Sequence, residues 1–269
     1  MNTVLFSKVV AAGNDFIVID NRRGALKGSP KAKAKQLCER KFGVGADGVL
    51  LMERSAKADI RMRIFNPDGS QADMCGNGVR CLSKFAVDKK IAKPEHTVET
   101  GAGIIRSRVR GGLVKALLTE PKDFREYPKL GVNGRSERIH FLNTGVPHAV
   151  IVERSLKGLD VASRGRALRY HKAFAPRGTN VNFMRVGLGN AIEVRTYERG
   201  VEAETLACGT GSTASALTAA RLKGLRSPVR VKTSGGENLM VYFSRRNGCF
   251  TDVHLEGPVE TTFEGRVRI

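Results

Sequence analysis

The sequence predicts an α/β chain of two similar halves, and three observations carry that reading. Short apolar runs bounded by Gly, Pro, Asn and Asp recur along the whole length, with only a few helical patterns between them. Two cysteines, Cys75 and Cys208, each precede Gly, a small polar residue and Gly, and each opens a helical pattern. The spacing then repeats: Val146 precedes Cys208 by 62 residues, and Asn14 precedes Cys75 by 61. That period indicates duplication.

Val4–Val10 and Phe16–Asp20 read as strands, with Ala12–Asp15 as the turn of a hairpin. Ser29 followed by Pro30 is a helix start, and the helix is expected over Lys31–Lys41 with Cys38 as a small core residue. Residues Gly43–Gly48 form a loop into the strand Val49–Glu53; the P-loop Lys and Ser/Thr are absent, so it is not a phosphate cradle. A strand Ile60–Phe65 leads through the Asn66-Pro67-Asp68-Gly69 turn to the first cysteine, and a helix follows from about Asn77 to Lys89. Strands are expected at Thr97–Thr100, Gly103–Arg110 and Val114–Leu118. Pro121–Gly134 is polar, contains prolines and lacks a sustained apolar pattern, which marks it as the linker.

After the linker the order begins again. Arg138–Asn143 leads to a turn at Thr144–Pro147 and a buried strand through Glu153, and Val161–His171 reads as a helix. Strands at Asn180–Val186 and Ile192–Tyr197 precede the second cysteine helix, which runs to Lys223 with Gly224 as its C-cap. Val229–Thr233, Leu239–Phe243 and Phe250–Leu255 complete the second set of strands.

Composition narrows the function. No run of the 269 residues approaches the length that crosses a bilayer, and the first residues lack the apolar block of a signal peptide, so a soluble cytoplasmic protein is expected. Five cysteines without a close C-x-x-C pair argue against a disulfide framework or a zinc site and fit reduced thiols. The net charge of +20 suggests nucleic acid. However, the basic residues are dispersed, and four Tyr with no Trp offer no stacking platform. A nucleic-acid-binding protein is therefore the alternative from another class.

A cysteine at a helix N-terminus meets unpaired backbone N–H groups and the positive end of the macrodipole, which favour the thiolate. The same N–H groups hold a carboxylate. Two such sites in matching halves point to an acid and a base. Inverting a carbon that bears hydrogen needs proton removal on one face and delivery on the other, a task for two half-domains facing a cleft. Gly76, Asn77, Gly209 and Thr210 would supply N–H groups to the charge that develops on the adjacent carboxylate. This scheme requires no metal and no cofactor. Cys81 and Cys249 are expected to be structural.

The stretches that carry this pattern are Asn14-Asp15-Phe16, Phe65 to Ser70, Met74 to Cys81, Gly145-Val146-Pro147-His148, Asn180 to Phe183, Glu198-Arg199-Gly200 and Glu204 to Gly211. In that order, and over nearly the whole chain, they resemble the diaminopimelate epimerase family. The resemblance implies interconversion of LL- and meso-diaminopimelate without a cofactor, a step toward lysine and peptidoglycan, carried out by a homodimer. It implies two pseudo-symmetric lobes, each a curved mixed sheet around a central helix. The N-terminal lobe would be residues 1–121 with a returning segment of about 258–269, and the C-terminal lobe 122–257.

Carried over by position, the resemblance makes Cys75 and Cys208 the acid–base pair, with Gly76, Asn77, Gly209 and Thr210 on the reacting carboxylate. Asn14 and Glu198 would lie at the reacting end of the substrate. Asn66, Asn180 and Arg199 would hold the distal L-centre, Arg199 through its carboxylate, and His148 would sit close to the catalytic pair. The chain departs from the family pattern at Val146, where many members have Asn, and at Gly48, where some have Gln. Racemases of proline, hydroxyproline or histidine share the two-cysteine chemistry, but a substrate without a second amino-acid head has no use for the distal set. Diaminopimelate is near neutral overall, so the +20 balance is not a device for steering it.

Overall fold

The computed structural model describes residues 3–269, which divide into two compact units. One runs to Leu117 and takes in Gly257–Ile269; the other is Leu118–Glu256.

In the first unit, strands Thr3–Ala11 and Asn14–Asp20 form an antiparallel hairpin around Ala12 and Gly13, both with positive φ. Asn14 and Asp15, expected in the turn, already belong to the ladder. Helix α1, Pro30–Cys38, is capped by Ser29, whose hydroxyl accepts from the Ala32 N–H. It stops three residues short of the expected Lys41 because the chain folds back on itself. The N–H groups of Val44 and Gly45 bond the Leu37 carbonyl, and a Cβ on Gly43 would lie 2.2 Å from the Gln36 carbonyl oxygen. Strands Gly48–Glu53, Ile60–Phe65 and Gln71–Ala72 lead to helix α2, Gly76–Asp88, and Glu95–Thr100, Gly103–Arg110 and Leu113–Leu117 follow it. The closing strand comes from the far end of the sequence: Glu260–Arg268 pairs antiparallel with Thr3–Ala11.

The second unit corrects one expectation outright. Pro121–Gly134 is not a linker: Lys122–Val132 is an 11-residue strand paired with Arg135–Asn143. Its faces are largely exposed, so it lacks the alternation of a half-buried strand. The legible signal was Asn133-Gly134, both at positive φ, the two-residue turn that matches strand twist. Strand Pro147–Val152, helix α3 (Val161–Arg169), strands Asn180–Val186, Ala191–Glu198 and Ala203–Thr205, and helix α4 (Gly209–Lys223) follow. Strands Val229–Lys232, Asn238–Arg246 and Cys249–Pro258 complete the set. Gly224, at φ 68°, caps α4 with its N–H on the Ala220 carbonyl, as the sequence predicts.

The two units repeat one pairing order. Asn14–Asp20 runs parallel to Gly48–Glu53, as Pro147–Val152 runs parallel to Asn180–Val186. Each partner pairs antiparallel with the next strand, Ile60–Phe65 or Ala191–Glu198. That strand then pairs antiparallel with a short strand ahead of the cysteine and parallel with the strand after the cysteine helix. The duplication inferred from spacing is thus a duplication of topology.

Both cysteine helices are central. The apolar face of α2, including Val79, Leu82 and Ala86, packs into the core of the first unit with Val9, Val18 and Leu50. Helix α4 is buried nearly all round, which its Gly, Ala, Ser and Thr side chains permit by letting strands approach closely. Cys38 and Cys81 are buried, as expected, and burial raises the Cys38 thiol to about 11. Cys249 is exposed just after the Asn247-Gly248 turn, so it is not a core residue. No helix among the described residues is long and apolar enough to cross a membrane.

Candidate active site

Cys75 and Cys208 are the N-cap residues of α2 and α4. Both have extended backbone, and each sulfur accepts from the N–H three residues on, Gly78 and Gly211, at 3.4 Å. The N–H groups of Gly76, Asn77, Gly209 and Thr210 are those an α-helix leaves without an intrahelical acceptor. Neither helix has an acidic residue in its first turn, so each N-terminus keeps its full preference for an anion. The Thr210 hydroxyl lies 3.5 Å from the Cys208 sulfur, and the Thr210 carbonyl accepts from Thr144 Oγ1 at 3.0 Å. Cys75 is half-buried and Cys208 is buried.

Two residues on from Cys75, in the first turn of α2, Asn77 meets Asn14. Asn77 Nδ2 donates to Asn14 Oδ1 at 2.7 Å, and Asn77 Oδ1 accepts from the fully buried Arg80 at 2.6 Å. Asn14 Nδ2 in turn donates to Asp47 at 3.1 Å, and Arg40 reaches Asp47 at 2.8 Å. Asp15 joins the same cluster. Burial works to raise its carboxyl pKa, but hydrogen bonds from Lys8 and Arg40 outweigh that and hold it low. Sequence reasoning misses Arg80 and Asp47. Arg80 lies within the Met74–Cys81 stretch, three residues on from Asn77 on the same face of α2, but nothing local marks it as a partner of that amide; Asp47 becomes a neighbour of Asn14 only through the folded register. At Gly48 a Cβ would lie 3.0 Å from the Phe65 carbonyl oxygen and 3.3 Å from the Phe16 ring, so close packing suits Gly there. Asn66 serves its own turn: its Nδ2 donates to Ser70 Oγ at 2.9 Å and its carbonyl accepts from Gly69.

In the unit that holds Cys208, His148 stands opposite Asn180 in a parallel pair of strands, and Asn180 meets the backbone of Arg199, next to Glu198. Asn180 is committed at both ends of its amide, donating to the Pro147 carbonyl at 3.1 Å and accepting from the Arg199 N–H at 2.9 Å. It therefore fixes the backbone from which the Arg199 side chain departs. Glu198 accepts from Thr205 Oγ1 at 3.0 Å. The Arg199 guanidinium bonds the Arg177 carbonyl at 3.2 Å; burial, with Arg169 and Arg177 close by, lowers its pKa. A cation destabilised by burial and by like charges gains from a carboxylate partner. Arg177 belongs to none of the motifs legible in the sequence; it stands in the turn before Asn180 and becomes visible only through Arg199.

His148 is fully buried, and burial, reinforced by the Arg199 charge, pushes its pKa down to about 3. It is a neutral imidazole at every physiological pH. Its Nδ1 lies 3.1 Å from Asn182 Nδ2, and Asn182 Oδ1 accepts from Thr196 Oγ1 at 3.0 Å. Among the described residues, no group of three or more His, Cys, Asp and Glu side chains is gathered as a metal site.

The fold is one found in solved structures of diverse description. A phenazine biosynthesis protein of the PhzF family from Bacillus anthracis superposes with a TM-score of 0.79 at 19% identity, over 100% of both chains. A probable proline racemase from Agrobacterium radiobacter K84 superposes with a TM-score of 0.69 at 16% identity, over 99% of this chain and 93% of that one. Sequence relatives are far closer. The family profile described as diaminopimelate epimerase matches residues 6–115 and 140–248. A diaminopimelate epimerase from Methanocella arvoryzae is 41% identical over 100% of this chain and 98% of its own. One from Archaeoglobus fulgidus is 46% identical over 87% of each. The family profile and these relatives define an isomerase, of the kind that inverts a carbon centre. Within that class, the chain belongs to the diaminopimelate epimerase family.

Proposed function

We propose that this chain interconverts LL- and meso-diaminopimelate by moving a proton at one α-carbon, with Cys75 and Cys208 as base and acid. The observation that carries this reading is the equivalence of the two sulfurs: each caps a central helix and accepts from the N–H three residues on at 3.4 Å. A thiolate on one face of the α-carbon takes its proton, and the thiol on the other face delivers a proton to the resulting carbanion. The products are the inverted centre and a pair of cysteines whose protonation has been exchanged, so the reverse reaction uses the same residues in opposite roles. The negative charge spreads onto the α-carboxylate, where the N–H groups of Gly76, Asn77, Gly209 and Thr210 and both helix dipoles stabilise it.

Asn14 and Glu198 fit the reacting end of the substrate in this reading. Arg199, with Arg177 and Arg169 near it, suits the distal carboxylate. Asn180 contributes by holding the Arg199 backbone, and Asn66 by shaping its turn. A homodimer in the cytoplasm, without membrane or nucleic-acid partners, belongs to the same proposal; sedimentation of the purified chain tests the dimer.

The decisive experiment is turnover in D2O. Deuterium should enter the α-position of LL-diaminopimelate as the meso form appears, and the same should hold from meso to LL. Exchange into proline but not into diaminopimelate would move the assignment to the racemases. No exchange into either would end the two-cysteine reading.

A further inference from the structure

The matching topology allows the two cysteine helices to be compared position by position, and what lies behind them differs. In the first unit the Cβ that Gly78 lacks would meet Leu50 Cδ2 at 3.2 Å and Ile64 Cδ1 at 3.5 Å. In the second the Cβ that Gly211 lacks would meet Asn182 Oδ1 at 2.2 Å. Leu50 pairs with Ile64 as Asn182 pairs with Thr196, and Phe16 stands opposite Gly48 as His148 stands opposite Asn180. Where one unit uses Phe16, Leu50 and Ile64, the other uses His148, Asn182 and Thr196. All three of these polar residues are buried, Asn182 and His148 completely. An apolar trio serves the packing in the first unit, so packing does not require the polar one. A buried polar chain carries a risk in a low-dielectric interior that packing alone would not select.

The chain has one consistent hydrogen-bond assignment. The Ala149 carbonyl can only accept, and it lies 3.1 Å from one end of the Asn182 amide, which must therefore be Nδ2. The other end, Oδ1, accepts from Thr196 Oγ1. The second hydrogen on Nδ2 points to His148 Nδ1, which must accept it. In a neutral imidazole the proton then sits on Nε2. That Nε2 is buried and meets no partner among the described residues. A buried donor left unmatched keeps its full desolvation penalty, which an acceptor on a bound ligand removes.

We propose that Asn182 is a positioning residue that fixes His148 as its neutral Nε2–H tautomer, so that this imidazole donates a hydrogen bond to an oxygen of the bound amino acid and does not act as a base. The role of the imidazole toward substrate rests on the epimerase reading; the tautomer does not. The low pKa of His148 agrees with it, because burial keeps the ring neutral whatever its partner. Asn182 Oδ1 also occupies the space that a Cβ on Gly211 would need, which sets the polar trio directly against the first turn of α4, next to Cys208.

The test is histidine 15N NMR on the full chain labelled at its five His residues. The His148 signals are assigned by their loss in His148→Gln. Wild-type His148 should show protonated Nε2 and bare Nδ1, unchanged between pH 8 and pH 5 and without substrate. Asn182→Asp, which offers Nδ1 only acceptors, should convert the ring to Nδ1–H or imidazolium. It should lower kcat by about tenfold or more with a smaller change in KM, and introduce a new ionisation into the kcat–pH profile. Asn182→Ala should mix the tautomers. A merely structural amide would lower Tm without moving the tautomer. Wild-type protonation on Nδ1, or a His148 signal that is the same in Asn182→Asp, overturns the proposal. Should a variant fail to fold, the wild-type spectrum still decides. Failure of deuterium exchange in the wild type would count against the epimerase reading alone.

Discussion

The side chain of Asn77 donates to that of Asn14 at 2.7 Å, tying the first turn of α2 to the start of strand Asn14–Asp20. Its other end receives the guanidinium of Arg80, which has no exposed surface. Asn77→Ala therefore removes an acceptor from a buried cation and a donor from Asn14. The loss should be about 1–3 kcal/mol, read as a lower denaturant midpoint at unchanged m.

The two helix glycines should respond unequally to alanine. Gly211→Ala forces Asn182 to move, because the new Cβ would lie 2.2 Å from its oxygen, whereas Gly78→Ala meets Leu50 Cδ2 at 3.2 Å, Cys75 Cβ at 3.4 Å and Ile64 Cδ1 at 3.5 Å. Helix propensity favours both changes alike. Gly211→Ala should thus be about 1–3 kcal/mol less stable than Gly78→Ala by chemical denaturation.

His148 sets a pH dependence of known sign. Its folded pKa, about 3, lies below the unfolded value of 6.5, so below pH 6.5 the unfolded chain binds a proton that the folded chain does not. Its contribution to stability is complete above pH 6.5 and falls by about 1.4 kcal/mol per pH unit from there toward pH 3. Burial lowers His96 and His140 as well, with the same sign. The difference between wild type and His148→Gln, followed by urea unfolding from pH 7 to pH 5, isolates the single site. The variant should show the shallower slope.

Cys75→Ala and Cys208→Ala should each lower kcat for epimerisation by about 10²–10⁴-fold, the range general acid–base groups supply. Each also loses an N-cap acceptor, about 1 kcal/mol, which leaves the fold in place. Circular dichroism beside the kinetics separates the two effects. A variant with wild-type kcat removes that cysteine from the reaction.

Arg199→Ala should raise KM for diaminopimelate about tenfold or more, with kcat less affected, as expected for a guanidinium that holds a carboxylate remote from the reacting carbon. Unchanged KM takes Arg199 out of the substrate site.

The residues that stand out in the sequence are those whose local chemistry is self-explanatory. A Cys ahead of Gly at a helix start, Ser29-Pro30 and Gly224 each satisfy a backbone requirement within four residues, and the structure places each at a helix end. The strand Lys122–Val132 is hidden because its faces are exposed and its apolar pattern is weak, although Asn133-Gly134 marks its turn. Glu260–Arg268 is not readable as a strand from its own residues, since its partner Thr3–Ala11 lies at the opposite end of the chain.

By itself the sequence determined the duplication, the two cysteine caps and the family, because these rest on spacing and on short motifs that act locally. Tertiary structure alone decided what stands behind each cap: Leu50 and Ile64 behind one, Asn182, Thr196 and His148 behind the other. Strand register brings those residues to the helices, and burial then settles their charge. Neither is a property of neighbours in sequence.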